Sequence, residues 1–140
     1  MSKYLGVDFG LKRIGLSITD KEKIFAFPLT TIEYDNAFDF FKDLFLKEEI
    51  SKVIIGYPKR LSGVDSDIES SIQKFIKKFM KHFPGIQIER FDERFTSKLA
   101  SKAIVSSGLG KKKRSDKKLI DKVSAAIILQ DYLTYNKSNL

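Results

Sequence analysis

The chain contains 140 residues, of which 42% are apolar and 31% charged, a length and balance typical of one soluble globular domain. Cysteine is absent and His82 is the single histidine, which excludes disulfides, thiolate zinc sites and thiol nucleophiles and argues against a histidine-based triad. The longest uncharged run, residues 24–32, has nine residues, well short of the ~20 apolar residues of a membrane helix. We therefore expect a soluble, cytoplasmic protein.

Positive charge is concentrated in the last third of the chain. The net charge is +8; residues 1–96 hold 16 basic and 15 acidic residues, whereas residues 97–140 hold 10 basic and 3 acidic ones. Such asymmetry favours a polyanionic partner, first a nucleic acid and second a membrane surface. The alternative is a lysine-rich composition that reflects only the nucleotide content of the genome.

Alternating apolar residues predict two strands, at residues 3–9 and 13–19, joined by a short turn. A third strand is predicted near residues 24–32. Within it Pro28 cannot donate a ladder hydrogen bond, so this strand should lie at a sheet edge or contain a bulge.

Helical spacing of Phe38, Phe41 and Phe45 predicts a helix over residues 35–49 with Asp35 as its N-cap. Residues 52–56 (KVIIG) form a nearly all-apolar run, which is typical of a strand buried on both faces. In order, the remaining elements are predicted as a strand at 52–56, a helix at 65–83, a strand at 86–91, a helix from Thr96 or Ser97 to about Ser107, and a last helix from Ser115 or Asp116.

The order β-β-β-α-β-α-β-α-α predicts a single α/β domain over residues 1–140, with a mixed sheet. We assign Phe75, Phe79 and Phe83 to the core, because a base-stacking platform would need exposed aromatic residues. His82 is assigned to a solvated helix end.

Three acids occupy positions that suggest chemistry. Asp8 ends the first strand on the face opposite Leu5 and Val7, and Glu93 follows the fifth strand. Sites of open α/β sheets lie beyond the carboxyl ends of their strands. Asp121 shares a face of the last helix with small and apolar residues, so its carboxylate should face the fold.

Each acid also has a purely structural interpretation. These are a turn cap for Asp8, a surface pair with Asp92 balanced by Arg90 and Arg94 for Glu93, and pairing with Lys117 or Lys118 for Asp121. Together, however, the three acids suggest a carboxylate cluster, in which some members would protonate unless cations intervene. Mg²⁺ and Mn²⁺ prefer such oxygen ligands, and two such ions can activate water for phosphodiester hydrolysis.

Four segments resemble the YqgF/RuvX family: DFGLKRIGLSI at 8–18, VIIGYP at 53–58, DERFTS at 92–97 and DKVSAAIILQDYL at 121–133. They cover nearly the whole chain, in order and with compatible spacing. Members of this family are Holliday-junction-resolvase-like nucleases, also described as nucleases of precursor 16S ribosomal RNA. The resemblance implies an RNase H-like fold, with a mixed five-stranded sheet flanked by helices and a metal-dependent nuclease site.

By motif, the resemblance implies that Asp8, Glu93 and Asp121 are the catalytic acids and the ligands of Mg²⁺ or Mn²⁺. Asp92 could share the role of Glu93. Nucleic-acid contacts are assigned to basic residues in these motifs, in the loop after Pro58 and in the last third of the chain. They are Lys12, Arg13, Lys59, Arg60, Arg94, Lys111, Lys112, Lys113, Arg114, Lys117 and Lys118.

Two segments depart from the family pattern. Leu11 stands where the family often has a small hydroxyl residue, so a hydroxyl contact to phosphate would be missing. The loop KRLSGVDS after Pro58 differs from the usual Asn-Asp-Gly-like pattern and adds the charges of Lys59 and Arg60. These departures suggest an altered substrate preference.

We predict a metal-dependent endonuclease that processes the 5′ end of precursor 16S ribosomal RNA, a substrate chosen on family grounds. One alternative is a Holliday junction resolvase that acts on branched DNA. Others are a non-catalytic RNA-binding module and an actin-like ATPase, which would need a second lobe and an adenosine pocket. No membrane partner is expected, and the sequence leaves open whether the protein is a monomer or a homodimer.

Overall fold

A five-stranded sheet forms the centre of the structure, a computed structural model that describes residues 2–57, 63–92 and 117–138. The strands are β1 (Lys3–Phe9), β2 (Arg13–Thr19), β3 (Ala26–Glu33), β4 (Ile50–Gly56) and β5 (Gln87–Phe91). They lie in the order β3-β2-β1-β4-β5. The β1–β2 and β2–β3 pairs are antiparallel, and the β1–β4 and β4–β5 pairs are parallel. The predicted mixed sheet is therefore confirmed.

The described helices are α1 (Ala37–Lys47), α2 (Gly63–His82) and α3 (Lys117–Ser138), with a short 3-10 helix (Tyr34–Asn36) ahead of α1. The helix predicted to end near Ser107 lies outside the described residues. Among the residues that are described, every helix is too short or too polar to cross a membrane.

The expectation that Asp35 caps α1 is wrong. Asp35 lies inside the 3-10 helix, and Asn36 takes the N-cap position of α1. The N–H of Tyr34 donates to the carbonyl of Lys12 (2.8 Å), which ties this turn to the β1–β2 connection. This tertiary bond places an extra turn between β3 and α1 that helical spacing alone did not indicate.

Aromatic rings fill the side of the sheet that carries α1 and α2. Phe41 from α1 and Phe75 and Phe79 from α2 are fully buried, and Phe83 packs at the margin of this core. The rings of Phe41 and Phe79 meet edge to face with centroids 5.4 Å apart, a favoured geometry for aromatic pairs. The core assignment of the α2 phenylalanines is confirmed, and His82 is exposed, as expected.

The opposite side of the sheet carries α3. Ile54 of β4 and Phe91 of β5 pack there with Ile128 and Leu129 of α3. A Cβ added to Gly6 of β1 would lie 2.8 Å from the Cβ of Leu129, so strand and helix come closer than a side chain would allow. Because β4 also contributes to the aromatic side, it is buried on both faces, as its apolar run predicts.

β3 forms one edge of this sheet. Its Pro28 pairs with Ser17 of β2, next to a register shift between Leu16 and Ser17. Both conditions under which a strand tolerates proline are therefore met.

Truncation of the aromatic core should be costly. Phe79→Ala is expected to lower the free energy of unfolding by about 3–5 kcal/mol, because it leaves a cavity between α1 and α2. Leu46→Ala, at an 81% exposed position of α1, should change it by less than about 0.5 kcal/mol. Urea denaturation of the two variants measures both values, and equal effects would contradict this description of the core.

Candidate functional site

The carboxyl ends of β1, β4 and β5 meet at one edge of the sheet, since these strands run parallel. Asp8 lies one residue beyond Val7, which pairs with Ile55 of β4. Asp92 is half-buried and directly follows β5. Both acids therefore lie at the edge where open α/β sheets form their sites. Glu93 lies outside the described residues.

Asp8 faces the side of the sheet that carries α3. Its neighbours Leu5 and Val7 belong to the aromatic-side core, whereas Gly6 lies against α3. Successive residues of a strand point to opposite faces, so Asp8 shares the side of Gly6. Asp8 is half-buried, and Gly15 lies directly opposite it on β2.

Gly15 brings the start of α3 onto this part of the sheet. A Cβ added to Gly15 would lie 3.0 Å from the backbone nitrogen of Lys122 and closer still to the carbonyl of Asp121. Directly opposite positions in an antiparallel pair have Cβ atoms ~4.5–5.5 Å apart and point the same way. The backbone of Asp121 therefore packs directly over Gly15, the residue opposite Asp8. We call Asp8, Gly15 and Asp121 the acid corner.

The carboxylate of Asp121 is held by Arg13. The Nε of Arg13, at the start of β2, donates to Oδ2 of Asp121 at 3.0 Å, and both side chains are about one quarter exposed, at 29% and 25%. A pair of this exposure contributes about 0.2–1 kcal/mol, so its main effect is orientation. Asp121 therefore has a partner on another element, whereas the side chain of Lys117, one of the two partners suggested by the sequence, lies outside the described residues.

Hydrogen bonds from the sheet fix α3 along its length. In each bond, a polar side chain of one element pairs with a backbone group of the other. The bonds run from Thr31 to the Lys118 carbonyl, from Ser17 to the Ala125 carbonyl (2.7 Å), and from the Ala26 N–H to the Gln130 side chain (2.9 Å). Because α3 is tied to the sheet at three points between Lys118 and Gln130, the position of Asp121 over β2 is fixed.

Few of the predicted nucleic-acid contacts fall on described side chains. Lys12 is exposed in the β1–β2 turn, Lys118 is exposed in the first turn of α3, and Arg13 binds Asp121. Lys12 precedes Gly15 by three residues and Lys118 precedes Asp121 by three, so both exposed lysines lie near the acid corner in sequence. The structure does not describe the side chains of the other predicted contacts, which are Lys59, Arg60, Arg94, Lys111, Lys112, Lys113, Arg114 and Lys117.

Sequence reasoning missed the partner of Arg90. Its guanidinium binds both carboxylate oxygens of Glu69 on α2 (2.8 Å each), although the sequence suggested a balance with Asp92 and Glu93. These bonds hold the pKa of Glu69 below its usual range, against the opposing effect of burial. Nothing in the spacing of residues 69 and 90 indicates this pair, since their contact depends on how α2 packs on β5.

The described donors fit a divalent cation in type. Asp8 and Asp121 offer carboxylate oxygens, which Mg²⁺ and Mn²⁺ prefer. Across residues 2–57, 63–92 and 117–138, no group of three or more histidine, cysteine, aspartate or glutamate side chains could hold a metal ion. The described part of the chain thus places the backbone of Asp121 against Gly15, the residue opposite Asp8, whereas Glu93 lies outside it.

Two solved structures in complex with Holliday junctions share this fold. T. thermophilus RuvC in complex with a Holliday junction substrate aligns with a TM-score of 0.64 and 8% identity, covering 99% of this chain and 96% of that chain. Fowlpox virus resolvase in complex with Holliday junction DNA aligns with a TM-score of 0.52 and 17% identity, covering 99% of each. The chain thus has an RNase H-like fold, as predicted.

Sequence comparison extends the likeness from fold to family. The family model described as "RuvX: Holliday junction resolvase" matches residues 2–135. Relatives from Flavobacterium psychrophilum (48% identical; 96% of this chain, 98% of the relative), Flavobacterium johnsoniae (46%; 96% and 97%) and Porphyromonas gingivalis (42%; 95% and 96%) are each named "Putative pre-16S rRNA nuclease". The chain belongs to the RuvX family, which confirms the resemblance carried by its motifs.

The contact at Gly15 should be intolerant of a side chain. Gly15→Ala is expected to lower the free energy of unfolding by about 1–3 kcal/mol, because the new methyl group must push α3 away from β2. Gly85→Ala is the matched control, since a Cβ there meets nothing within 4 Å. Denaturation curves test this, and a Gly15→Ala protein as stable as Gly85→Ala would refute the close contact.

Proposed function

We propose that the chain is a metal-dependent endonuclease that hydrolyses nucleic-acid phosphodiester bonds. The observation that carries this proposal is the acid corner, in which Gly15 brings Asp121 of α3 above the position opposite Asp8. Neighbouring carboxylates repel each other unless positive charge lies beside them; Arg13 supplies one such charge to Asp121, and a divalent cation would add to it. The names of the relatives that are 42–48% identical support the same activity.

Asp8 and Asp121, together with Glu93, would hold Mg²⁺ or Mn²⁺. When bound, such an ion lowers the pKa of water and stabilises negative charge on phosphoryl oxygens. The chain's own contribution is to place the carboxylates. β1 carries Asp8 rigidly, α3 carries Asp121, and Arg13 orients the Asp121 carboxylate through its 3.0 Å bond. Asp92 follows β5 at the same sheet edge, where it could share the role of Glu93.

Exposed lysines would attract and hold the substrate. Lys12 and Lys118 lie near the acid corner in sequence, and residues 97–140 carry most of the excess positive charge. Neutralising phosphates releases counterions, so binding should weaken steeply as salt rises. Such contacts position the backbone without reading its sequence.

We propose the 5′ end of precursor 16S ribosomal RNA as the substrate, processed in the cytoplasm. The names of the three relatives support this choice. A second candidate is a Holliday junction, favoured by the match to two resolvases solved with that substrate, each over 99% of this chain. Cutting a junction needs two symmetric sites and therefore a homodimer, whereas trimming an RNA end does not.

Loss of either carboxylate should abolish cleavage and spare binding. We expect Asp8→Asn and Asp121→Asn each to slow cleavage by more than about a hundredfold, because even outer-sphere partners of a metal contribute roughly 10–100-fold. Affinity for uncleaved RNA should change little, since neither acid contributes positive charge. Asp43→Asn, which removes an exposed acid from α1 on the other side of the sheet, should behave like the unsubstituted protein. Cleavage at unchanged rates by both site variants would remove these residues from the site.

Side-by-side digestion should identify the substrate. The unsubstituted protein is incubated with precursor 16S RNA and with a four-way DNA junction, each in Mg²⁺ and in Mn²⁺. We expect specific cleavage of the RNA near the mature 5′ end and slower or no cutting of the junction. Symmetric junction cleavage with intact RNA would favour the resolvase, and binding of both without any cleavage would favour an RNA-binding module.

A further inference from the structure

Tyr57 places an exposed aromatic ring at the edge of the sheet that carries Asp8 and Asp92. It follows the last residue of β4, and its N–H donates to the carbonyl of Phe91 (2.9 Å), which fixes its backbone against β5. The residue is 40% exposed. Packing in the hydrophobic core does not account for a large ring that remains partly exposed to water at this edge of the sheet.

One face of this ring rests on Arg90. The guanidinium carbon of Arg90 lies 4.1 Å from the ring centroid of Tyr57, a favourable cation–π distance. Because the guanidinium covers one face, a ligand that stacks on Tyr57 would use the other.

Arg90 is itself immobilised. It donates to both oxygens of Glu69 at 2.8 Å and to the carbonyls of Ile55 and Gly56 at 3.2 Å. Its side chain is 12% exposed, so its charge is used within the fold and not for a phosphate. The immobilised guanidinium supports one face of the Tyr57 ring, and such support reduces the entropy lost when a ligand stacks on the ring.

We propose that Tyr57 is a stacking platform for a base of the nucleic-acid substrate. The inference rests on the proposed function in taking nucleic acid as the ligand. Aromatic rings bind single-stranded nucleic acids without strong sequence preference, because every base offers a π-face. Arg90 backs one face of this ring through a cation–π contact.

The register of the sheet shows where Tyr57 lies relative to Asp8. Val7 of β1 pairs with Ile55, so Tyr57 lies beyond the position level with Asp8. Ile55 belongs to the aromatic-side core, and alternation turns Tyr57 to that same side, opposite to Asp8. Tyr57 would therefore hold a base at the carboxyl end of β4, across the sheet from Asp8, which makes it a positioning residue.

Tryptophan fluorescence can report the contact directly. The chain contains no tryptophan, so Tyr57→Trp introduces a single reporter. We expect its emission to be quenched when single-stranded RNA is added to the full chain without divalent ions. Phe25→Trp is the matched control, at a 59% exposed aromatic position after β2, at the opposite end of the sheet. RNA binding that leaves the emission of the Tyr57→Trp protein unchanged would overturn the proposal.

Affinity gives an independent readout. Tyr57→Ala and Tyr57→Leu should each weaken binding of single-stranded RNA about tenfold, within the range measured for stacked bases. Tyr57→Phe should bind normally, since it keeps the ring. The salt dependence should not change, because no positive charge is removed. Tyr57→Leu keeps an apolar cover on Arg90, so it still tests stacking if Tyr57→Ala fails to fold. A lower melting temperature with unchanged affinity would show a purely structural role and overturn the platform.

These results are separable from the proposed function. Quenching and a tenfold affinity loss in a chain that cleaves neither RNA nor DNA with Mg²⁺ or Mn²⁺ would support the platform and refute the nuclease. Cleavage by a chain whose Tyr57→Leu variant binds and cuts at normal levels would refute the platform alone.

Discussion

The close contact between Gly15 of β2 and the backbone of α3 at Asp121 determines the geometry of the candidate site. Only a residue without a side chain allows the helix backbone to approach the sheet this closely. Gly15 also lies opposite Asp8, so the contact that packs α3 on β2 also places Asp121 on the Asp8 side of the sheet. In the proposed nuclease, a shift of α3 would change stability and cleavage together.

The two sides of the sheet are built on different principles. The side of α1 and α2 is filled by large rings such as Phe41 and Phe79, whose interlocking contacts make it rigid. On the other side α3 is held by close backbone approach and by polar bonds such as that from Ser17 to Ala125. Small residues and polar anchors leave room for carboxylates beside a packed interface, whereas an all-aromatic layer would exclude them.

Arginine and lysine have separate roles around the sheet edge. The guanidinium groups of Arg13 and Arg90 are bound by Asp121 and Glu69 inside the fold. The planar guanidinium has directional donors, which suits it to orient a carboxylate or an aromatic ring. In the proposed function, attraction of a polyanion falls to exposed lysines such as Lys12 and to the basic last third of the chain.

The sequence by itself determined the strands, most of the helical stripes, the family and the placement of Asp8 at the end of β1, because alternation and helical spacing are local properties of the chain. It identified Asp121 as a residue that faces the fold, but not its partner. That Arg13 binds Asp121, that Arg90 binds Glu69, and that Asp35 enters a 3-10 turn were decided by the tertiary structure alone. Each depends on which distant segments pack together, and such contacts leave no periodic signal in the sequence.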